Sequence, residues 1–210
     1  LHRVDRRQRQ MCIRDSSSLT PRGCNAIEHA ARLICRIRDI ADHYQSQGPF
    51  DTFYDVPYTT LTTNQIHGGI AVNTIPDLCE FGYEFRNLPG MPVDTIQQQI
   101  EQYVQDELLP RMRREHADAS IEIQRGARAP ALEASEQEAI TRLVRALTRD
   151  EQTRKVAYGT EAGLFQNAGV PALVCGPGHI EQAHKPDEFV EIAQLEACEN
   201  FLRQLGRSLA

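Results

Sequence analysis

The stretch DLCEFGYEFR, residues 77–86, followed by Asn87, Leu88, Pro89 and Gly90, decides how the rest of the chain is read. Cys79, Phe81, Tyr83 and Phe85 alternate with Glu80, Glu84 and Arg86. A period of two with one apolar and one charged face specifies a half-buried β-strand, and Leu88, Pro89 and Gly90 end it. Upstream, residues 58–66 are rich in Thr and poor in helix formers, which predicts a second strand, and Gly68 with Gly69 predicts a turn or bulge between the two. Further upstream, Ile27, Ala30, Ala31, Ile34, Ile37, Ala41 and Tyr44 recur three and four apart, so a long amphipathic helix is expected. It starts near Thr20 and Pro21 and is broken by Gly48 and Pro49. Downstream, Val93, Ile96, Ile100, Val104 and Leu108 predict a second amphipathic helix that stops near Pro110, and residues 120–124 a short strand.

Residues 17–125 therefore read helix, strand, strand, helix, strand. That is an α+β unit with two helices over one face of an antiparallel sheet, and a first strand, missing just before residue 17, would complete a ferredoxin-like pattern. Residues 126–133 read as a link. Ser135 and Glu138 suggest a capping box in front of Ile140, Leu143, Val144 and Leu147. Gly159 and Gly163 flank a short turn, the apolar run 170–175 suits a buried strand, Gly176, Pro177 and Gly178 form a rigid turn, and Leu195, Cys198, Leu202, Leu205 and Leu209 define a closing helix. Residues 126–210 thus look like the tail end of a larger α/β domain.

The 210 residues carry 29 acidic and 23 basic side chains, 25% charged and 40% hydrophobic. This composition excludes disorder, collagen and coiled-coil arrays. No apolar run approaches the roughly 18–20 residues needed to cross a bilayer, so no membrane partner is expected. The six cysteines at 12, 24, 35, 79, 175 and 198 include no CxxC pair and are read as reduced cytoplasmic thiols. Residues 1–16 contain five Arg against Asp5 and Asp15, leaving a net charge of -9 on the remainder of a chain whose total is -6. An acidic body is a poor nucleic-acid binder. The leader itself has neither a secretory pattern nor a helix period. It reads as a basic tail or, preferentially, as a non-native stretch resembling translated adapter sequence, and it is set aside for the fold.

Three places could carry chemistry. His184 lies in EQAHKPDEF, a polar loop where α/β folds place ligands; it is either a solvated loop histidine or a metal ligand whose companions are absent from this chain. Gly159, Thr160 and Glu161 in YGTEAG could let a backbone approach a ligand, or simply start a helix with an acid in its first turn. Asn73, in AVNTIPD, and Arg86 flank the alternating strand. The Arg86 guanidinium could take a substrate carboxylate in bidentate fashion, or pair with Glu84 or Glu80. His29 and His43 fall in the first helix and are weaker candidates, as are His116 and His179.

The segments SSLTPRGCNAIEHAARLI, GGIAVNTIPDLCEFGYEFRNLPG, YGTEAGLFQNAGVPALVCGPG and IEQAHKPDEFVE, in this order, resemble the acetylornithine deacetylase family of two-metal hydrolases, with which succinyl-diaminopimelate desuccinylases, aminoacylases and glutamate carboxypeptidases are grouped. The resemblance implies a zinc-peptidase-like α/β catalytic domain interrupted by a ferredoxin-like lid that forms a homodimer. Residues 17–125 would be the lid, and residues 126–210 the C-terminal segment of the catalytic domain. It implies a cytoplasmic enzyme of arginine biosynthesis with two divalent metal ions, zinc with cobalt as a substitute, and a small-molecule N-acyl amino acid substrate. By motif, His184 resembles the family's last metal ligand. Asn73 and Arg86 match lid positions that bind the substrate carboxylate, commonly in the partner subunit's site, and Gly159, Thr160 and Glu161 line the pocket. The family's other ligands and its general-base Glu lie upstream of the lid. The lid His that normally precedes Ser-Ser-Leu is replaced by Ser16. The chain by itself is therefore expected to be an inactive fragment.

Overall fold

A computed structural model describes residues 4–11, 15–16, 23–92, 94–183 and 185–209, with side chains described from residue 23 onward except at 127 and 128. The first part of the chain forms the strands β1 (Val4–Met11), β2 (Asp15–Ser16), β3 (Thr60–Gly68), β4 (Thr74–Ile75), β5 (Leu78–Arg86) and β6 (Ser120–Arg128) and the helices α1 (Ala26–Gln47), α2 (Asp94–Tyr103) and α3 (Leu109–Glu115). The second part carries α4 (Ala139–Thr148), α5 (Ala162–Asn167) and α6 (Ile192–Ser208).

The four-stranded antiparallel sheet has the order β3-β5-β1-β6, while β2 and β4 pair separately. With α1 between β1 and β3, and α2 and α3 between β5 and β6, this is the ferredoxin-like arrangement. As its alternation requires, β5 buries Cys79, Phe81, Tyr83 and Phe85 and leaves the residues between them half-buried. Against that face α1 packs Ala30, Leu33, Ile37 and Ile40, while Ile96, Ile100, Val104, Leu108 and Met112 close the other half of the core. Within this core the Tyr83 hydroxyl donates to Gln97 Oε1 at 3.0 Å, so the polar groups of both residues are satisfied where water cannot reach.

One strand comes from the residues set aside as a leader. Residues set aside as a non-native tail form β1, at the centre of the sheet, with Gln8 paired to Phe81 on one side and to Ile123 on the other. The slot for the first strand of the ferredoxin-like pattern is filled by VDRRQRQM. Its sequence shows no apolar alternation, so the sheet, and not the strand's own pattern, defines its place.

The helix start suggested at Thr20 and Pro21 lies outside the described residues; α1 begins at Ala26, where the Asn25 side chain accepts from the N–H groups of Ile27 and Glu28. Gly48, with φ +74°, ends it. β3 runs two residues further than its Thr content suggests and carries a bulge at Asn64, the extra residue between the pairs Thr63–Tyr83 and Gln65–Gly82. The second helix does not stop at Pro110. A π turn, Val104–Leu108, widens the helix so that Pro110 enters the first turn of α3, where a missing N–H costs nothing.

In the second part, Glu138 is itself the residue preceding α4, and Ser135 Oγ accepts from Gln137 N at 3.2 Å, so the segment is a local turn and not a capping box. Residues 170–175 form no strand. Among the described residues no ladder lies beside them, and Val170 and Val174 stay exposed. The apolar stripe of α6 is likewise open, with Ile192, Leu195 and Leu202 exposed. No described helix is long and apolar enough to cross a membrane, and none of Cys24, Cys35, Cys79, Cys175 and Cys198 is in a disulfide.

Candidate functional site

Arg86 is the last residue of β5 and projects from the wet face of the sheet. The loop behind it is fixed by its own polar groups. Leu88 N donates to Thr59 Oγ1 at 3.2 Å, and the buried Asn87 donates from Nδ2 to the carbonyls of Leu88 and Met91. Arg86 is therefore held at its base. Its Nη1 donates to the carbonyl of Ala157 at 2.7 Å, and Nη2 lies 3.5 Å from Glu84 Oε1. Of the two expectations for this residue, the ion pair with Glu84 is the one present, while Nη1 is taken by a backbone carbonyl of the second part of the chain.

That segment is clamped a second time. Lys155 Nζ lies 2.7 Å from Asp51 Oδ2 and 3.7 Å from Glu133 Oε1, and within 6 Å of the ring centres of Phe53 and Tyr54. The hydrogen bond from Lys155 holds the Asp51 carboxyl below the usual carboxylate range. Burial would lower the Lys155 pKa, but the Asp51 contact outweighs it and the ammonium ends up above its ordinary value. Burial also raises the Tyr54 phenol, which packs with Leu88 against Ala157. Residues 155–157 thus form a strap on the ferredoxin-like unit, tied by two cations and a small apolar contact.

Two residues beyond Ala157 comes the turn of Gly159, Thr160 and Glu161. Thr160 Oγ1 accepts from Ala162 N at 2.8 Å, and the Glu161 carbonyl accepts from Leu164 N, which starts α5. The helix-start alternative for Glu161 is realised. Gly163 presses so closely on the link that a Cβ there would stand 2.1 Å from the Pro130 carbonyl oxygen. Gly159 has no such constraint, since a Cβ would make only ordinary contact with Ala129.

The proposed site residues do not all converge. Arg86 reaches Ala157, two residues before the 159–161 turn. Asn73 sits exposed in the turn before β4, near the opposite end of β5, where Gly68 pairs with Cys79. From Cys79 to Arg86 a strand spans about 23 Å, so Asn73 and Arg86 of one chain cannot hold one small substrate. His184 lies outside the described residues. The donor set for a two-metal centre is not found among the described residues. They bring together one group of three potential ligands, Cys24, His29 and Glu115, all in the lid and unrelated to Arg86. This cluster was not legible in the sequence, because His29 and Glu115 are 86 positions apart and follow no ligand spacing. Burial opposes protonation of His29, but Cys24 and the Glu115 carboxylate beside it outweigh this and hold its pKa above the usual histidine value.

Residues 16–112 match the family model of the peptidase dimerisation domain. The chain is 32% identical over 192 residues to an acetylornithine deacetylase from Edwardsiella ictaluri, covering 90% of this chain and 47% of that protein. It is 34% identical over 181 residues to one from Myxococcus xanthus, covering 86% and 46%. The chain thus spans about half the length of the curated relatives it matches. Among solved structures, a tripeptidase from Staphylococcus aureus superposes with a TM-score of 0.68 at 17% identity, covering 96% of this chain and 50% of that one. An aminopeptidase from Bacillus cereus does so with the same TM-score at 14% identity, covering 96% and 50%. At those identities the likeness is one of fold.

Proposed function

We propose that this chain, whose residues 16–112 match the peptidase dimerisation domain, supplies the dimerising lid and the carboxylate grip of an amidohydrolase acting on N2-acetyl-L-ornithine. The reaction adds water across the acetamide, releasing acetate and L-ornithine, a cytoplasmic step of arginine biosynthesis. The observation that carries the reading is the hydrogen bond from Arg86 Nη1 to the carbonyl of Ala157, two residues before the 159–161 turn. A guanidinium fixed at its base and by one N–H retains further donors, and their fork geometry suits the α-carboxylate that every substrate of this kind presents. Holding that carboxylate orients the scissile amide. Two divalent metals, zinc with cobalt as substitute, would supply the activated water in the whole enzyme, with His184 as one ligand. The described residues lack the set that would hold them.

The lid forms a homodimer in this reading. β3 is an edge strand without a single Asp, Glu, Lys or Arg, and it leaves Ile66 exposed next to the open turn with Ile70 and Val72. The other edge, β6, carries Glu122 and Arg125 and is guarded by charge. An uncharged edge is the one that invites pairing with a second copy. Asn73, which follows it, would then serve the partner's site, leaving Arg86 for its own.

A splice tests the substrate. Residues 17–210 replace the aligned segment of the Edwardsiella ictaluri enzyme, and turnover of N2-acetyl-L-ornithine is compared with that of N-succinyl-diaminopimelate. Preference for acetylornithine is expected. Preference for the succinyl substrate would assign the chain to a related N-acyl-amino-acid amidohydrolase. A folded, dimeric splice inactive on both would make it a non-catalytic dimerisation module.

A further inference from the structure

We infer that Cys24, His29 and Glu115 form a binding site for a single thiophilic divalent cation of the zinc type. The sulfur, one imidazole nitrogen and one carboxylate oxygen all lie within 4.8 Å of one another. In a tetrahedral zinc site with bonds of about 2.0–2.3 Å, such atoms stand roughly 3.3–3.8 Å apart. The geometry is therefore close to that of a loaded site. His29 Nε2 and Glu115 Oε2 are 2.8 Å apart, a hydrogen bond that must open by about half an ångström to admit the ion. Glu115 can make this adjustment, because its side chain is 41% exposed while His29 is 1% exposed.

Three further features favour a cation here. Cys24 and His29 are fully buried, so a bound species with net charge would be costly. A thiolate and a carboxylate together with a neutral imidazole cancel the charge of a divalent ion, and loading releases the thiol proton to solvent. Glu115 is the last residue of α3, where the carbonyl end of the helix attracts positive charge. Cys24 precedes Asn25 at the opposite pole of α1, where a thiolate is stabilised, and Asn25 already caps that helix, so Cys24 is not needed for capping. Sulfur and imidazole donors select zinc or cobalt over magnesium or calcium, and the exposed Glu115 side leaves room for a water as fourth ligand.

The test uses cobalt(II) chloride added to the metal-free folded 210-residue chain, read as thiolate-to-cobalt charge-transfer absorption in the near ultraviolet. The reference is a variant with His184→Ala, Cys35→Ser, Cys175→Ser and Cys198→Ser, which removes other ligands. Expected is one cobalt per chain in both proteins, loss of the band in Cys24→Ser, and at least a tenfold weaker affinity in Glu115→Gln. Because Glu115 is half exposed, that variant keeps the fold, as far-ultraviolet circular dichroism would verify. Zinc should also raise the melting temperature of the parent but not of Glu115→Gln. A band that survives Cys24→Ser, a folded chain with no band, or unchanged affinity in Glu115→Gln would each overturn the inference. None of these readouts depends on deacetylase activity.

Discussion

The guanidinium of Arg86 donates from Nη1 to the carbonyl of Ala157 at 2.7 Å, joining the end of a lid strand to a segment 71 positions further along the chain. Arg86 therefore serves the strap as well as any ligand. Substituting Lys keeps the charge but loses the planar fork. Arg86→Lys should keep the lid core intact and loosen residues 155–157, seen as faster amide exchange at Ala157 and Tyr158. Unchanged exchange would mean that the bond contributes nothing to docking.

The second tie gives a pH dependence with a definite sign. Asp51 is held below its ordinary pKa by Lys155, so the folded state binds its proton less readily than the unfolded chain. The stabilisation is fully present above the unfolded value of about 3.9 and is lost as pH falls through the depressed value. Asp51→Asn should remove about 1 kcal/mol at neutral pH and flatten the acid limb of the stability curve below about pH 4. Equal acid sensitivity in the two proteins would contradict the assignment.

Tyr83→Phe removes a buried donor and leaves Gln97 Oε1 without it. An unfolding cost of about 1–2 kcal/mol is expected from denaturant titration. Adding Gln97→Leu to it should recover part of that loss, since both polar groups are then gone.

Gly163→Ala places a methyl 2.1 Å from the Pro130 carbonyl oxygen. Backbone cannot yield as a flexible side chain does, so α5 must lift from the link. Faster proteolytic cleavage in residues 126–138 is expected, whereas Gly159→Ala should cleave at the parental rate.

The alternation at residues 79–85 and the spacing of Ile96, Ile100, Val104 and Leu108 made the helices and the β5 face legible, because burial on one side imposes a period. The central strand was not legible. VDRRQRQM carries polar residues at 6, 8 and 10, positions that register opposite Tyr83, Phe81 and Cys79, so its place comes from the open slot between β5 and β6. Removing residues 1–16 should abolish cooperative unfolding. A truncated chain that melts as sharply as the parent would show that β1 is dispensable. Residues 170–175 failed in the opposite sense. Their apolar run suits a buried strand, but a strand exists only beside a partner, and Val170 and Val174 remain exposed. Among the site residues, Arg86 was correctly placed on the polar face, while its contact with Ala157 and the Cys24, His29 and Glu115 cluster needed the folded chain.

The most direct test of the carboxylate grip is a kinetic cycle on the spliced enzyme, using N2-acetyl-L-ornithine and its α-carboxamide with Arg86 intact or changed to Ala. If Arg86 holds the carboxylate, the parent should lose about a hundredfold in kcat/KM on the carboxamide, and Arg86→Ala should treat both substrates nearly alike. If Arg86→Ala still discriminates a hundredfold, the carboxylate is bound elsewhere and the proposed role of Arg86 is wrong.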